Sequence, residues 1–392
     1  MSSAGLRESE ARRDPGLFPK RKVALVRGEG ARLWDAEGNA YLDFGATHGV
    51  STVGHCHPRV VRAVQEQAAR LMHVAASWPN DQRAALLDDL AAIAPAGLDR
   101  AFLCNSGTEA MEAAIKFARG HTHRPGLVAA QRGFHGRTMG ALALTHKAEY
   151  RAPFLPMLPG VGHVPYGDVE ALKAAVTRDT AAVVLEPIQG EAGVVLPPPG
   201  YLGAARDLCT DAGALLVADE VQTGFGRTGR VWAVEHESVV PDILAFGKGV
   251  AGGLPMGGIL LRSEVCTLPP GSHGSTFGGS PIVCAAARAA IGVLRDEGLA
   301  ERASQLGDRL LAGLGQLEHA AIREVRGRGL MVGLELRTRN GPVLEALLAN
   351  GVIALPTGTS VVRYLPPLVV SHQDVDVAIA ATAKALAALP GS

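Results

Sequence analysis

The sequence predicts an α/β fold, in which a mostly parallel sheet carries helices on both faces beside a smaller α+β domain. Two patterns carry that reading. Through the middle of the chain, short apolar runs of β-forming residues alternate with Ala/Leu stretches of helical spacing. That alternation marks strands joined by helical crossovers. Beyond Thr276 the pattern changes to long helices from Pro281 onward and then to strand-like segments. At 392 residues the chain exceeds what one core normally fills. Residues 51–280 are expected to form the larger domain and 281–392 the smaller one, with residues 1–50 as an N-terminal arm belonging to the smaller domain.

In chain order, residues 31–44 read as strand-turn-strand about Glu37-Gly38-Asn39. Strands follow at 126–130, 181–186, 214–219, 243–246 and 258–262, with helical patterns at 110–119, 169–176 and 202–212 between them. Residues 324–337 and 352–365 read as strands of the smaller domain. Glycine, at 48 residues, exceeds the usual share of ~7% and implies many tight loops, while 47% hydrophobic residues supply a large core. Thirty-eight basic residues balance 38 acidic ones, so no electrostatic footprint for nucleic acid or an anionic membrane is expected. No run approaches the ~20 apolar residues of a membrane helix, and the first twenty residues lack a secretory pattern. Five scattered cysteines without CxxC spacing favour free thiols, a reducing compartment and a cytoplasmic protein.

Of the seven lysines, Lys248 stands apart. It follows the apolar run 242–246 and sits between Gly247 and Gly249. The C-terminal end of a buried strand is where α/β proteins place chemistry, and partial desolvation there lowers an ammonium toward a nucleophilic amine. A loop lysine that snorkels to solvent is the plainer alternative. Asp219 ends another apolar run; a carboxylate there can hold a pyridinium protonated, or simply cap a turn. Asn105-Ser106-Gly107-Thr108-Glu109 opens a helical pattern and offers backbone N–H groups and a hydroxyl to a phosphate, though a capping box has the same look. In Arg132-Gly133-Phe134-His135-Gly136-Arg137-Thr138, Phe134 can stack on a planar ring and Arg137 can fork onto a carboxylate. Singly, each feature is weak.

Together these segments resemble the class III (subgroup II) pyridoxal-phosphate aminotransferases of fold type I, whose large domain holds a seven-stranded sheet. Gly54-His-Cys-His-Pro58, Asn105-Ser-Gly-Thr-Glu109, Glu186-Pro-Ile-Gln-Gly-Glu191, Asp219-Glu-Val-Gln-Thr-Gly-Phe-Gly-Arg-Thr-Gly229 and Gly274-Ser-Thr-Phe-Gly-Gly279 carry the likeness along nearly the whole chain. The resemblance implies pyridoxal 5′-phosphate as cofactor, Lys248 as the Schiff-base lysine and Asp219 against the pyridinium. It puts Gln222 near the phenolic oxygen, Phe134 and Val221 on the two ring faces, and Gly107 and Thr108 at the phosphate. Glu220 falls among the cofactor-binding residues. Thr276 matches a residue that reaches the phosphate of a neighbouring subunit, which implies a homodimer with shared sites. Ser275 matches a position near the substrate. Arg363 matches the arginine that grips an α-carboxylate, Glu191 the glutamate that gates it, and Arg137 would hold the remote carboxylate of the donor.

Within that family, residues 150–156 and 322–336 look closest to the acetylornithine and carrier-protein-linked aminoadipate-semialdehyde aminotransferases of lysine biosynthesis. Free-ornithine enzymes carry tyrosines near the substrate amine where Phe18 and His48 stand here. Met111 and Ser280 also depart from common family residues. The implied activity is transfer between glutamate or 2-oxoglutarate and the ω-position of a blocked basic amino acid, carrier-linked lysine or N-acetylornithine. Ornithine or another ω-amino acid is the alternative substrate, and an aminomutase, racemase or decarboxylase the alternative chemistry on the same scaffold. A small acidic amino-group carrier protein is a possible partner, for which Lys20, Arg21, Lys22 and Arg27 would supply a basic rim. A zinc site at His55, Cys56 and His57 is disfavoured because neighbours on an extended segment point to opposite faces.

Overall fold

The computed structural model describes residues 1–389. Its centre is a seven-stranded sheet whose spatial order is Arg100–Cys104, Gly257–Leu261, Ile243–Phe246, Leu215–Asp219, Thr180–Leu185, Gly126–Ala130 and Val161–Val164. Every pairing is parallel except the two made by Gly257–Leu261. The reversal has a simple cause. Only residues 247–256 separate that strand from Ile243–Phe246, too few for the helical crossover that a parallel neighbour requires. The central strands are buried on both faces, as expected beneath two helical layers.

Two smaller sheets flank this one. Leu25–Glu29, Arg32–Asp35 and Ala40–Asp43 form an antiparallel meander joined by Val352–Ile353, which runs parallel to Ala40–Asp43. The N-terminal strands are thus tied to a segment more than three hundred residues away. The other sheet orders Ile322–Arg328, Met331–Leu336, Val361–Tyr364 and Leu355–Thr357, all antiparallel. The strand patterns at 324–337 and 352–365 are therefore each broken. Gly329, in the left-handed region at φ +54°, turns the first into a hairpin. Pro281 starts the helix Pro281–Asp296 at its first turn, where its missing N–H costs nothing. That helix packs on Pro58–Ala68 and Asp81–Ile93 and buries an Ala-rich face.

Two strands of the large sheet, Arg100–Cys104 and Val161–Val164, have no counterpart among the strands expected from sequence. Both are edge strands, and Arg100–Cys104 begins on an exposed arginine while Val161–Val164 carries an exposed glycine. His55 contacts Asp43 through Nε2 at 2.7 Å, and His57 contacts Glu297 at 3.2 Å while its Nδ1 accepts the Arg59 N–H. Three of their four ring nitrogens are engaged in the fold. Among the described residues no helix is long and apolar enough to cross a membrane.

Candidate active site

Strand register gathers the chemistry at one edge of the large sheet. Ala218 lies opposite Leu185 and Asp219 opposite Ala245. Asp219 thus ends its strand beside Glu186, the residue after Leu185, and beside the turn after Phe246 that bears Lys248. All three are at C-terminal strand ends, where doubly wound sheets bind ligands. A cavity of about 260 Å³ opens there, lined by Gly107, Thr108, Phe134, His135, Gly136, Arg137, Glu186, Glu191, Asp219, Val221, Gln222 and Lys248.

Lys248 adopts a left-handed backbone, φ +43°, a conformation that costs a non-glycine residue about 1–2 kcal/mol. The flanking Gly247 passes close to Gly107, where a Cβ would lie 3.3 Å from the Gly107 Cα. Burial holds the Lys248 pKa below that of an ordinary lysine. Arg363 pushes the same way, against the charges of Glu191, Asp219 and Glu186. The result enlarges the fraction of neutral, nucleophilic amine.

Asp219, only 5% exposed, accepts from His135 Nδ1 at 2.7 Å and from the Val221 N–H at 3.1 Å. Burial opposes protonation of His135, yet the Asp219 hydrogen bond and charge and the charge of Glu186 prevail, so its pKa lies above the usual histidine value. Because a carboxylate offers about four lone-pair sites, Asp219 keeps acceptor capacity toward the cavity. Glu186 is buried and pushed up to about 7, by burial first and by Asp219, against His135.

The phosphate end is built by the helix Gly107–Thr122, capped by Ser106 Oγ accepting the Glu109 N–H at 3.3 Å. Thr108 Oγ1 accepts the N–H groups of Arg137 and Thr138, both at 3.1 Å. Thr138 Oγ1 donates to Glu112 at 2.6 Å, so the 2.8 Å contact between the two threonines has Thr108 as donor. Gly107 is required here: a Cβ would lie 2.6 Å from Val221 Cγ1. A planar group with a phosphate and a basic ring nitrogen would fit these residues: the backbone N–H groups of Gly107 and Thr108 at the helix N-terminus for the phosphate, Phe134 and Val221 from the cavity lining against the ring, Asp219 for the nitrogen, Lys248 as the amine.

Other residues stand differently. Arg363 is fully buried on Val361–Tyr364. Its Nη1 donates to Glu191 at 2.7 Å and to Gln222 Oε1 at 3.1 Å, while Nε and Nη2 make no hydrogen bond among the described residues. Gln222 is thus engaged with Arg363. Arg137 is exposed, its guanidinium 3.7 Å from the Tyr150 ring centre and 5.5 Å from that of Phe134. Glu220 corrects the expectation from sequence. Its carboxylate accepts from Thr223 and from the Val234 N–H, away from the cavity, because alternate residues of an extended segment face opposite sides. Ser275 accepts from Asn105 and Gly278 outside the cavity, and Thr276 is exposed. His135 and Glu186 line the cavity and were not singled out from sequence. A histidine next to Phe134 and a glutamate straight after an apolar strand were the available signals.

Comparison with known proteins is consistent with this geometry. The family model described as Aminotransferase class-III matches residues 18–386. The chain is 46% identical to a LysW-aminoadipate semialdehyde transaminase of Deinococcus radiodurans, over 96% of this chain and 89% of that protein. It is 48% identical to an acetylornithine aminotransferase of Methanopyrus kandleri, over 93% and 95% respectively. Among solved structures, an ornithine aminotransferase from Toxoplasma gondii superposes with a TM-score of 0.96 at 36% identity, covering 99% of this chain and 96% of that one. These enzymes use pyridoxal 5′-phosphate, the group that the cavity's residues fit. The chain belongs to the class-III aminotransferases and is a transaminase.

Proposed function

We propose that this transaminase exchanges an amino group between glutamate or 2-oxoglutarate and the ω-position of a blocked basic amino acid, in two half-reactions. One observation carries the proposal: the state of Arg363. A fully buried guanidinium is paired with a half-exposed glutamate, and its buried Nε and Nη2 have no hydrogen-bond partner among the described residues. That unpaired edge has the fork geometry that takes a carboxylate bidentately. An ω-amino donor brings no carboxylate beside its reacting amine, so Glu191 stays on Arg363 and compensates its charge. Glutamate does bring one, and Glu191, at the cavity mouth, swings away. A buried arginine left unpaired is costly, which is why a movable partner is needed.

Bound pyridoxal phosphate supplies the electron sink for loss of the Cα proton. Lys248, held partly neutral, is the base that takes that proton and returns it on the other side of the exchange. With the cofactor bound, Asp219, backed by His135, would hold the positive charge at the ring nitrogen. Phe134 and Val221 would pack against the ring, and Arg137, prealigned over Tyr150, would receive the donor's remote carboxylate.

The relatives named for LysW-linked and acetylated substrates support a blocked ω-amine. The expected basic rim for a carrier protein is largely neutralised, however. Lys20 pairs with Glu10 and Asp14, Lys22 lies 4.0 Å from Glu345, and Arg27 pairs with Glu29 while stacking on Trp34. Of the four, Arg21 alone makes no salt bridge among the described residues. An acidic carrier would therefore meet one uncompensated charge there. Two copies sharing sites suit the exposed Thr276, with Phe277 and Trp78 at 62% and 67% exposure as apolar contact surface. Five free cysteines suit a reducing cytoplasm.

The test is the visible band of the cofactor-loaded protein mixed separately with glutamate, N-acetylornithine, carrier-linked lysine and free ornithine. Rapid bleaching by glutamate and by a blocked ω-amine, slow with free ornithine, is the expected result. Bleaching by free ornithine as fast as by either blocked amine would overturn the substrate assignment.

A further inference from the structure

The family-level reading leaves Glu186 without a task. It is buried at the end of Thr180–Leu185, and each of its carboxylate oxygens accepts one backbone N–H from a different loop: Oε1 from Phe134 at 2.9 Å, Oε2 from Gly190 at 3.2 Å. Phe134 is the residue that flanks the cofactor ring, and Gly190 precedes the gate, Glu191. Two further bonds run between the same segments, Gln189 Nε2 to the Gln131 carbonyl at 2.9 Å and Arg132 Nη2 to the Ala192 carbonyl at 2.7 Å. Of these three ties, that of Glu186 is the one that ends on the Phe134 and Gly190 amides themselves, and its backbone is held in turn by Tyr166, whose hydroxyl donates to the Glu186 and Pro187 carbonyls at 2.8 and 3.0 Å.

We propose that Glu186 is a positioning residue that joins the cofactor-covering loop to the gate-bearing turn, so that the ring plane and the setting of Glu191 are fixed by one side chain. The proposal rests on the transaminase reading of the site. The chemistry of the carboxylate explains why glutamate serves here. Two N–H donors from different loops need two acceptor oxygens on one rigid group. Glutamine has one acceptor oxygen and an amide that opposes a second N–H, so Glu186→Gln must release one loop. Protonation weakens the link, because the protonated oxygen is a poorer acceptor. Burial and the neighbouring Asp219 favour that proton, and His135 opposes it. The charged groups facing Glu186 through space also include Lys248.

The experiment compares wild-type and Glu186→Gln holoenzymes, with Gln189→Ala as a control on the outer tie. Two quantities are read: the circular dichroism of the bound cofactor's visible band, and the ratio of kcat/KM for glutamate to that for N-acetylornithine. Loss of one hydrogen bond is expected to move the ratio about fivefold and to change the cofactor dichroism, while Gln189→Ala moves neither. An unchanged ratio and dichroism in Glu186→Gln, with a wild type that transaminates, overturns the positioning role. A wild type that transaminates no donor would instead overturn the reading of the site. Should Glu186→Gln not fold, native-state hydrogen exchange of the wild-type holoenzyme decides. The Phe134 and Gly190 amides are expected to show protection within about tenfold of each other, as groups sharing one opening, and a larger gap overturns the link.

Discussion

Replacing Glu191 by glutamine tests the proposed gate. The Glu191–Arg363 contact is 2.7 Å, with the arginine fully buried and the glutamate side chain 37% exposed. Removing one partner of a fully buried pair costs about 3–5 kcal/mol. Solvent reaches Glu191 and screens it, and Gln222 still accepts from the same guanidinium nitrogen, so about 1.4 kcal/mol is a fair discounted figure, or tenfold in rate. The sign differs between half-reactions. A blocked ω-amine needs Arg363 compensated and should lose about tenfold in kcat/KM. Glutamate no longer has to displace a carboxylate and should gain by a similar factor. Single-turnover bleaching of the visible band, one donor at a time, measures both. If both donors lose equally, Glu191 is a general structural residue and the gating argument fails.

Three further outcomes follow from the same geometry. Lys248→Ala should abolish turnover in both directions, and in the wild type the rate should rise with pH to a plateau reached below the ordinary lysine pKa; residual turnover above background in the variant would remove the assigned base. Arg137→Ala should raise KM for the blocked ω-amine by about tenfold or more, the worth of a charge-assisted pair, and an equal rise for glutamate would contradict the division of labour between the two arginines. Glu220 is buried and raised to about 7, chiefly by desolvation. With its folded pKa above its unfolded one, the native state binds more protons, so its contribution to stability falls as pH rises from about 4.5 to about 7. Glu220→Gln should therefore raise Tm relative to wild type at pH 8 and much less at pH 5. A drop in Tm at pH 8 would contradict this.

Much of the candidate site was legible in sequence because its members lie in local patterns. Lys248 follows an apolar strand between two glycines, Asp219 ends another, and Gly107 and Thr108 open a helix. Each signal needs only the residues beside it, and their order along the chain carried the family likeness. Strand positions were legible where burial on both faces gives continuous apolar runs, as at 126–130 and 243–246. They were not at the edges of the sheet, where Arg100–Cys104 and Val161–Val164 are short and partly polar.

What the tertiary structure alone decided is which atoms meet. Register brings Glu186, Asp219 and Lys248 to one edge, and no local pattern reports that Glu186 spans two loops 52 and four residues away. Glu220 stands in a recognised motif beside Asp219, yet the alternation of an extended segment turns it toward Thr223 and Val234. Three of the four N-terminal cations, Lys20, Lys22 and Arg27, look available in sequence and are paired in space. Local sequence reports propensity and periodicity; long-range hydrogen bonds and ion pairs depend on distances between residues far apart in the chain, which only the packed structure sets.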